Sequence, residues 1–351
     1  MLAFVAVTPS VFAVHCTTTV TAPASIQTDV TAASLGDVVC LDDSGGAFTQ
    51  QVVFASTDSG ITLTAEHGDS PVLDGTLLQG TGPTTISAIE LLSGVSGVTI
   101  EGLEIKNYEG VGGSVFTSSD RSSGIIAASG TTSDILIKNN NIHGNFWNGV
   151  LVFSEGDFVH DSWVVQKNTV KANGFVNIEL TNCNSCTIMK NVIDGSSSLF
   201  GVVIQNRNTI LNSGLTAMDG VNVMHNTIDG HTLYGVYVLS FTGDSGTFAT
   251  IDGASTLLTS VNVQHNKITD SGSSAAIRYF AFNSESTAEN ARISHNTIEC
   301  LPGDPSIRIT QSGGGGGGTV KNVKVIRNSI DSTDCIDIDD LGQGTKIKLL
   351  P

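Results

Sequence analysis

A recurring eight-residue pattern of apolar and polar positions organises this chain. Its clearest copy is residues 221–228, Val-Asn-Val-Met-His-Asn-Thr-Ile, with apolar residues at the first, third and eighth places and Asn at the sixth. Similar copies begin at positions 135, 163, 186, 261, 291 and 323, and a weaker copy begins at 98. Alternation of apolar and polar places is typical of a strand with one face buried, so the pattern predicts many short repeated strands.

The spacing of the copies predicts how the strands stack. The shortest interval between successive sixth places, from Asn168 to Asn191, is 23 residues, which fits one coil of a parallel β-helix. A second strand follows each Asn, at 150–153, 176–180, 202–205, 236–239, 276–280, 306–310 and 336–339. The longer repeats therefore carry their extra residues after this second strand, at 206–220, 241–260, 283–290 and 311–321. Insertions that leave a solenoid at one corner often form its binding face.

The two ends of the chain are expected to differ from the repeats. Residues 25–35 carry Ile26 and Val30 on one helical face and precede Gly36, which predicts a short helix that caps the first coil. The apolar start is interpreted as a secretory signal peptide. We divide the chain into the signal peptide 1–13, a cap with the first coils at 14–97, β-helix repeats at 98–340 and a tail at 341–351. Residues 346–349 are predicted to form one more strand. Because this short tail covers the last coil only lightly, we expect copies of the chain to associate head to tail.

Composition narrows the partners and the compartment. The chain has 39 Gly, 14% charged residues and a formal net charge of −17, so nucleic acid is a poor partner for its body. After the N-terminal run no stretch is long and apolar enough for a membrane helix. The 6 cysteines favour disulfides in an exported chain, and their neighbourhood predicts the pairs Cys16–Cys40, Cys183–Cys186 and Cys300–Cys335. The expected location is secreted, periplasmic or at the cell surface.

The repeat resembles that of the parallel β-helix proteins of the pectin-lyase-like superfamily, from about residue 25 to residue 340. Gly36-Asp37-Val38-Val39 and Val72-Leu73-Asp74-Gly75 are also similar to the start of many such proteins. The resemblance implies an all-β, single-stranded, right-handed parallel β-helix with three sheets and a short N-terminal capping helix. The superfamily includes pectate lyases, polygalacturonases, alginate-modifying enzymes, copper-accessory periplasmic proteins and non-enzymatic surface proteins, so the fold does not decide the function.

One outward column precedes the recurring Asn and contains histidines. His225, His265 and His295 occupy this place in consecutive copies, in a column with Asn139, Lys167, Lys190 and Arg327. Imidazoles one strand spacing apart are candidates to share Zn²⁺ or Cu²⁺, as in a metal-binding periplasmic accessory protein, or to form a pH-sensitive cationic strip. Three equivalent ligands on a flat sheet give poor tetrahedral geometry, so a solvated polar position is the plainer interpretation.

A second outward column lies on the second strand of each coil, beside the insertions. Taking Ile307 and Ile336 as inward, we predict as catalytic the residues that follow the inward ones: Tyr237, Arg278, Arg308 and Asp337. We predict as substrate contacts the residues two places further along: Glu179, Gln205, Phe280 and Asp339. Such a face suits a uronate polymer, because Arg pairs with carboxylates, aromatic rings stack on sugars, and acidic side chains hold Ca²⁺, the candidate cofactor.

Two mechanisms fit this face. In β-elimination, Arg or Tyr removes the proton α to a carboxylate; in hydrolysis, two carboxyls among Asp337, Asp339 and Asp340 flank the bond. A plainer interpretation makes Arg308 and Asp337 a surface salt bridge. The residue signatures of polygalacturonases, pectate lyases and mannuronan epimerases are absent from the sequence. The chain is therefore expected to bind, and as a lyase or hydrolase to process, a polysaccharide or cell-surface glycan; the alternative is a non-catalytic surface, matrix or filament-forming protein.

Overall fold

The computed structural model describes residues 15–79, 86–110, 121–128, 130–154, 158–210, 213–243, 253–269, 275–299, 305–311, 318–331, 336–340 and 346–348. At 311, 336–340 and 346–348 it describes the backbone alone. The predicted signal peptide and the predicted pair Cys300–Cys335 lie outside the described residues, as do the side chains of Asp337 and Asp339.

In the described residues, which are the ones counted below, the chain coils through three large sheets, and each strand pairs in parallel with the equivalent strand of the next coil. Sheet 1 has 12 strands: Thr18–Thr21, Val38–Asp42, Thr62–Ala65, Thr99–Glu101, Leu136–Lys138, Val164–Gln166, Thr187–Met189, Asn222–Met224, Asn262–Gln264, Arg292–Ser294, Lys324–Ile326 and Lys346–Lys348. Sheet 2 has 9 strands: Val72–Asp74, Glu104–Lys106, Asn141–His143, Thr169–Lys171, Val192–Asp194, Thr227–Asp229, Lys267–Thr269, Thr297–Glu299 and Ser329–Asp331. Sheet 3 has 10 strands: Val52–Phe54, Ile89–Leu91, Ile125–Ala127, Asn148–Val152, Val176–Thr181, Phe200–Asn208, Tyr234–Thr242, Ala275–Phe282, Pro305–Gln311 and Ile336–Asp340. The architecture is the predicted right-handed, single-stranded parallel β-helix with three sheets.

The corner between sheets 1 and 2 explains the recurring Asn. The residue before it turns the chain through the left-handed region, with φ of 56° at His225, for example. The Asn itself is buried: Oδ1 of Asn226 accepts 3.0 Å hydrogen bonds from the backbone N–H and the side-chain amide of Asn191. Its own amide donates to Oδ1 of Asn266 at 3.0 Å. This ladder pairs backbone groups that the turn would otherwise leave buried and unsatisfied.

The apolar places of the repeat form the core between the sheets. Val221, Val223 and Ile228, from the first, third and eighth places of one copy, are each 0% exposed. They belong to one apolar cluster that runs from Val20 to Val325. Because a single coil is too thin to bury these side chains alone, the stack of neighbouring coils provides the burial.

The predicted capping helix is present and shorter than expected. Helix α1 spans Ile26–Ala32, with the Ser25 hydroxyl as its N-cap and with Ile26 and Val30 buried. The amide of Gln27 donates to the carbonyl of Val53 at 2.9 Å and its oxygen accepts the Val53 N–H at 2.7 Å. The helix therefore satisfies backbone groups on the open edge of sheet 3. Among the described residues, three short 3₁₀ helices follow, at Asp43–Gly45, Ser56–Asp58 and Gly75–Leu78.

The insertions leave the coil after sheet 3, as predicted, but they contain regular structure. They include the 4 parallel strands of sheet 4: Gly214–Asp219, Ala254–Thr259, Ser286–Glu289 and Thr319–Lys321. A 2-stranded sheet pairs His160–Asp161 with Cys183–Asn184. The predicted final strand is also present, because Lys346–Lys348 pairs with Lys324–Ile326 in sheet 1.

Two of the three predicted disulfides are confirmed. Cys16 is bonded to Cys40, and Cys183 is bonded to Cys186. The second bond makes Cys183-x-x-Cys186 a closed turn rather than the zinc half-site that the spacing also permits. In the described part of the chain no helix has the length and apolar character needed to cross a membrane.

Candidate functional site

The register of sheet 3 determines which predicted site residues are neighbours. Tyr237 pairs with Arg278, and Arg278 pairs with Arg308, so these three lie side by side on adjacent coils, as predicted. Each is partly exposed between buried neighbours, which places the three side chains on the outer face. Their catalytic role remains a prediction.

Two register predictions are wrong. Ile307 pairs with Ile338 rather than Ile336, so Asp339 and not Asp337 follows Arg308 in the column. The register of the last strand is therefore shifted by two residues from the one that its first Ile suggests. Glu179 pairs with Val203, which pairs with Tyr237, so Glu179 belongs to the Tyr237 column. Gln205 and Phe280 do share the second column, through Leu239.

Glu179 is a buried carboxyl at the wall of a cleft. It is 7% exposed, and its oxygens accept hydrogen bonds from the Asn148 amide at 2.8 Å and the Thr181 hydroxyl at 3.1 Å. Burial raises the pKa of this carboxyl; the two hydrogen bonds and the charges of Arg121 and Arg207 oppose the rise. A carboxyl in this state is suited to exchange a proton closer to neutral pH than an exposed Glu.

The cleft holds about 430 Å³ and combines aromatic, cationic and acidic side chains. Its lining is Arg121, Trp147, Leu151, Phe153, Phe175, Glu179, Gln205 and Arg207. The guanidinium carbons of Arg121 and Arg207 lie 3.8 Å and 5.3 Å from the ring centroid of Phe153. A second pocket of about 360 Å³ shares Arg121 and Phe153 and adds Phe158 and Ile210, so the apolar surface continues beyond the cleft.

An aromatic row extends from the cleft along sheet 3. Trp147 and Phe175 lie 4.6 Å apart, Phe175 and Phe200 5.5 Å, and Phe200 and Tyr234 5.8 Å, all between ring centroids. Tyr237 stacks 4.9 Å from Tyr234. The row continues across successive coils, so one extended ligand could contact several rings. We call Trp147, Phe175, Phe200, Tyr234 and Tyr237 the aromatic row.

Arg278 ends the aromatic row. Its Nη1 donates to the Tyr234 hydroxyl at 2.5 Å, and its guanidinium carbon lies 4.2 Å from the ring centroid of Phe280. Burial raises the pKa of Tyr237 to about 12, although the charge of Arg278 lowers it. Tyr237 is therefore a neutral phenol near pH 7, a state that suits sugar stacking and hydrogen bonding better than proton removal.

The repeat pattern did not identify six residues that line the cleft or form the aromatic row: Arg121, Arg207, Trp147, Phe175, Phe200 and Tyr234. An available signal was the aromatic residue that recurs after the ladder Asn, directly before a strand of sheet 3 at 147 and 175 and as its first residue at 200 and 234. These positions interrupt the alternation of the strands, so a search for periodic columns passes over them. The two arginines lie in different coils and have no common sequence pattern.

The predicted histidine column is present as a stack of rings. His225 and His265 lie 4.9 Å apart at 9° between ring planes, and His265 and His295 lie 4.8 Å apart at 13°. Imidazole lone pairs lie in the ring plane, so parallel stacked rings do not aim three nitrogens at one point. Metal binding by these residues remains a prediction that this geometry does not favour.

A separate acidic group lies in the first coils. Carboxylate oxygens of Asp42, Asp43 and Asp69 lie within 4.8 Å of one another, which makes them a group that could hold a cation such as Ca²⁺. Hydrogen bonds from Ser44 and Thr21 lower the pKa of Asp42. Exposed acidic groups are common without a bound ion, so Ca²⁺ binding also remains a prediction.

Comparison with known proteins identifies the fold. No family model and no curated protein matches the sequence. Tailspike protein 2 of Escherichia coli O157:H7 bacteriophage CAB120 is similar in structure, with a TM-score of 0.53, 10% identity, and coverage of 92% of this chain and 39% of that one. The Agl-KA catalytic domain is similar with a TM-score of 0.52 and 14% identity, over 86% of this chain and 54% of that one. The Dettilon tailspike protein is similar with a TM-score of 0.51 and 14% identity, over 91% of this chain and 63% of that one. The chain has the parallel β-helix fold.

These likenesses confirm the predicted fold and leave the activity open. This chain spans less than two thirds of each tailspike and of the Agl-KA domain. The A-module of the mannuronan C-5 epimerase AlgE6 of Azotobacter vinelandii is covered over 93% of both chains, at 13% identity and a TM-score of 0.47. The three likenesses above a TM-score of 0.5, at 10% to 14% identity, show the fold alone, so a function must be argued from the site.

Proposed function

We propose that this protein binds a polysaccharide along sheet 3, with the aromatic row as the platform and the Glu179 cleft as the polar end of the site. The observation that carries the proposal is the continuity of the row with the cleft, through Trp147 and Phe175. Aromatic faces pack against the apolar faces of sugar rings, and a few polar groups then fix orientation. Rings on several successive coils suit a polymer better than a single sugar.

The charges of the cleft favour a polymer that carries carboxylates. Arg121 and Arg207 line the cleft, and guanidinium groups pair with carboxylates in a planar, bidentate geometry. The ionised form of Glu179 would repel such a ligand, whereas its raised pKa favours the neutral form. A uronate ligand should therefore bind more tightly as the pH falls toward the pKa of Glu179.

Proton transfer by Glu179 is a second candidate function. The carboxylate is a suitable base for the proton α to a uronate carboxylate, and Arg121 and Arg207 would stabilise the charge that develops. Breaking the C–O bond at the β position would then form the C=C bond of an unsaturated sugar, and the leaving oxygen would take a proton from the protonated Glu179 or from water. Two-carboxyl hydrolysis has less support, because Glu179 is the one carboxyl among the described cleft-lining residues.

The compartment follows from the same proposal. A glycan-binding protein with disulfides Cys16–Cys40 and Cys183–Cys186 is suited to an oxidising environment outside the cytoplasm. The non-catalytic surface or filament-forming alternative differs in two observable ways. It predicts binding without turnover, and it predicts concentration-dependent association in size-exclusion chromatography.

The test compares binding and turnover on the same variants. Calorimetric titration with alginate and polygalacturonate should show binding that Trp147→Ala and Phe175→Ala each weaken by roughly 5–30-fold, the loss of one stacking contact. Leu215→Ala is the matched control, because Leu215 is 58% exposed on sheet 4, outside the cleft. Equal affinity in all four proteins would overturn the proposed site. Ultraviolet absorbance of an unsaturated product, lost in Glu179→Gln, separates the lyase from a binding protein.

A further inference from the structure

A column of cationic side chains runs along the corner between sheets 1 and 2. It consists of Lys167, Lys190, His225, His265, His295 and Arg327, which precede the ladder Asn in successive coils. Each has a φ of 55° or 56°, so every coil turns here in the same way. We call this set the corner column. Identical backbone geometry aims the side chains in the same direction, which makes the column a regular array.

The corner column is accessible and closely spaced. Five of its members are exposed and His295 is partly exposed. The histidine rings repeat at 4.9 Å and 4.8 Å, the spacing of the strands themselves. Among the described residues, the ion pairs with carboxylates involve Lys106, Lys138, His143 and Lys321 and no member of the column.

Basic residues are concentrated beside the column, although the whole chain has a net charge of −17. Arg292 and Lys324 are paired in sheet 1 on one side, and the exposed Lys267 lies in sheet 2 on the other. Carboxylates follow further along sheet 2, where Asp229 pairs with Asp194 and Glu299 with Asp331. On the sheet 1 side, Glu289 precedes the Arg292 strand and forms an ion pair with Lys321. The edge of the molecule is therefore locally cationic within an acidic protein.

We propose that the corner column binds a linear sulfated polysaccharide, and that its three histidines strengthen this binding at acidic pH. A strip one residue wide fits a single chain of regularly spaced anions better than a double helix, whose phosphates lie on two strands. Sulfate remains ionised where carboxylates begin to protonate, so it keeps its charge over the range in which imidazole gains one. The site lies on a different sheet from the aromatic row and does not depend on the function proposed there.

The surroundings of the histidines give the direction of the pH effect. Burial and the charges of His265, Arg327 and Arg292 lower the pKa of His295. Lys190 precedes His225 in the column, Lys267 flanks the stack on sheet 2, and Asp229 and Glu299 are the acidic groups beyond it. A bound polyanion would offset the repulsion among these cations, so binding and imidazole protonation should favour each other.

The chain supplies its own matched substitutions for a test. Asn139 has a φ of 55° at the same place, and Lys167 and Lys190 have φ of 55° and 56°. A triple variant His225→Asn, His265→Asn, His295→Asn removes the titratable charge, and the triple His→Lys variant makes it permanent. Circular dichroism and the thermal midpoint check that both variants fold as the parent does.

The measurement is the affinity of the full chain for dextran sulfate at about pH 5.5 and about pH 8, on either side of the ordinary imidazole pKa. The parent should bind about tenfold more tightly at the lower pH, the Asn variant weakly at both, and the Lys variant tightly at both. Neutral dextran should not bind. Equal parent affinity at the two pH values, or an Asn variant that behaves like the parent, would overturn the proposal.

Two further arms identify the ligand class and the site. Single-stranded DNA and inorganic polyphosphate that bind as tightly as dextran sulfate, with the same pH response, would overturn the assignment to a sulfated glycan. Trp147→Ala should leave dextran sulfate binding unchanged, because Trp147 directly precedes a strand of sheet 3 whereas the corner column lies between sheets 1 and 2. A parallel loss of dextran sulfate and uronate binding in that variant would show that both ligands use the cleft.

Discussion

The side-chain amide of Asn148 donates a 2.8 Å hydrogen bond to Oε2 of Glu179, across adjacent strands of sheet 3. Asn148 is itself held, because its Oδ1 accepts the backbone N–H of Val176 at 3.1 Å. The Thr181 hydroxyl occupies the other carboxyl oxygen of Glu179. The carboxyl is thus fixed by donors on its own sheet, in a wall where burial disfavours its charge.

Glu179→Gln should change the stability of the fold in a pH-dependent way. Burial raises the folded-state pKa of Glu179 above its ordinary 4.5, so the native parent holds this proton more tightly than the unfolded chain does. Below the ordinary pKa, Glu179 is protonated in both the native and the unfolded chain, so no buried charge lowers the stability of the parent. As the pH rises through the raised pKa of the native state, the parent loses stability relative to the neutral variant. Urea unfolding should show that the free energy of unfolding of the variant, relative to that of the parent, is higher at about pH 8 than at about pH 4.

The matched control for this prediction is Asp219→Asn, because Asp219 is exposed at the end of a sheet 4 strand. Its free energy of unfolding should follow that of the parent at both pH values. If Glu179→Gln and the parent also ran in parallel, the buried carboxyl would have no raised pKa, and the proton-transfer role would lose its basis.

Asn226→Ala should destabilise the fold by about 2–4 kcal/mol, because it leaves several buried polar groups unpaired. Oδ1 of Asn226 accepts from the N–H and amide of Asn191, and its amide donates to the carbonyl of Ile188 at 3.0 Å. Ala replaces none of these contacts. The neighbouring exposed His225→Asn should change the free energy of unfolding by less than about 0.5 kcal/mol. If urea unfolding showed that Asn226→Ala and His225→Asn lower the free energy of unfolding by similar amounts, the corner as a whole, and not the Asn ladder, would determine the stability.

The repeat made the coil, the corner and the sheet order predictable, because each apolar place of 221–228 has an equivalent in every later copy. The site was less predictable, because it depends on the register between neighbouring coils, and the sequence of a single repeat does not specify that register. Ile336 and Ile338 alternate equally well in the sequence, and only pairing with Ile307 decides between Asp337 and Asp339. Trp147 and Phe175 lie in the irregular turns before sheet 3, and their meeting at 4.6 Å is a consequence of stacking.

Most tyrosines should resist ionisation until the protein unfolds. Burial raises the pKa of Tyr237 to about 12 and raises those of Tyr108 and Tyr279 further. The native state therefore binds more protons than the unfolded state above about pH 10, so stability should fall as the pH rises from there. Ultraviolet absorbance of phenolate should lag behind the titration of the urea-unfolded chain and then rise together with the loss of circular dichroism.

Tyr237→Phe separates this prediction from a general alkaline instability. The variant should remove one late-ionising phenol and shift the onset of unfolding to higher pH, because one of the three linked groups is gone. An absorbance curve that reaches its full amplitude near pH 10 with the circular dichroism unchanged would mean that the phenols are solvated. The aromatic row would then not be the packed platform that polysaccharide binding needs.

The two disulfides should contribute unequally, because they close loops of different length. Their sequence separations are 24 for Cys16–Cys40 and 3 for Cys183–Cys186. The chain-entropy relation gives about 3.5 and about 1.6 kcal/mol respectively for the loss of each bond.

Replacing Cys16 and Cys40 with Ala should also uncouple the first coil from the stack, since each coil of a solenoid is stabilised only by its neighbours. Urea unfolding should then show an early transition confined to the N-terminal coils, whereas the Cys183→Ala, Cys186→Ala variant should unfold in one step with a smaller loss. Equal losses, or an early transition in the second variant alone, would show that local packing around Trp163, whose backbone N–H lies 3.4 Å from Sγ of Cys186, outweighs loop closure.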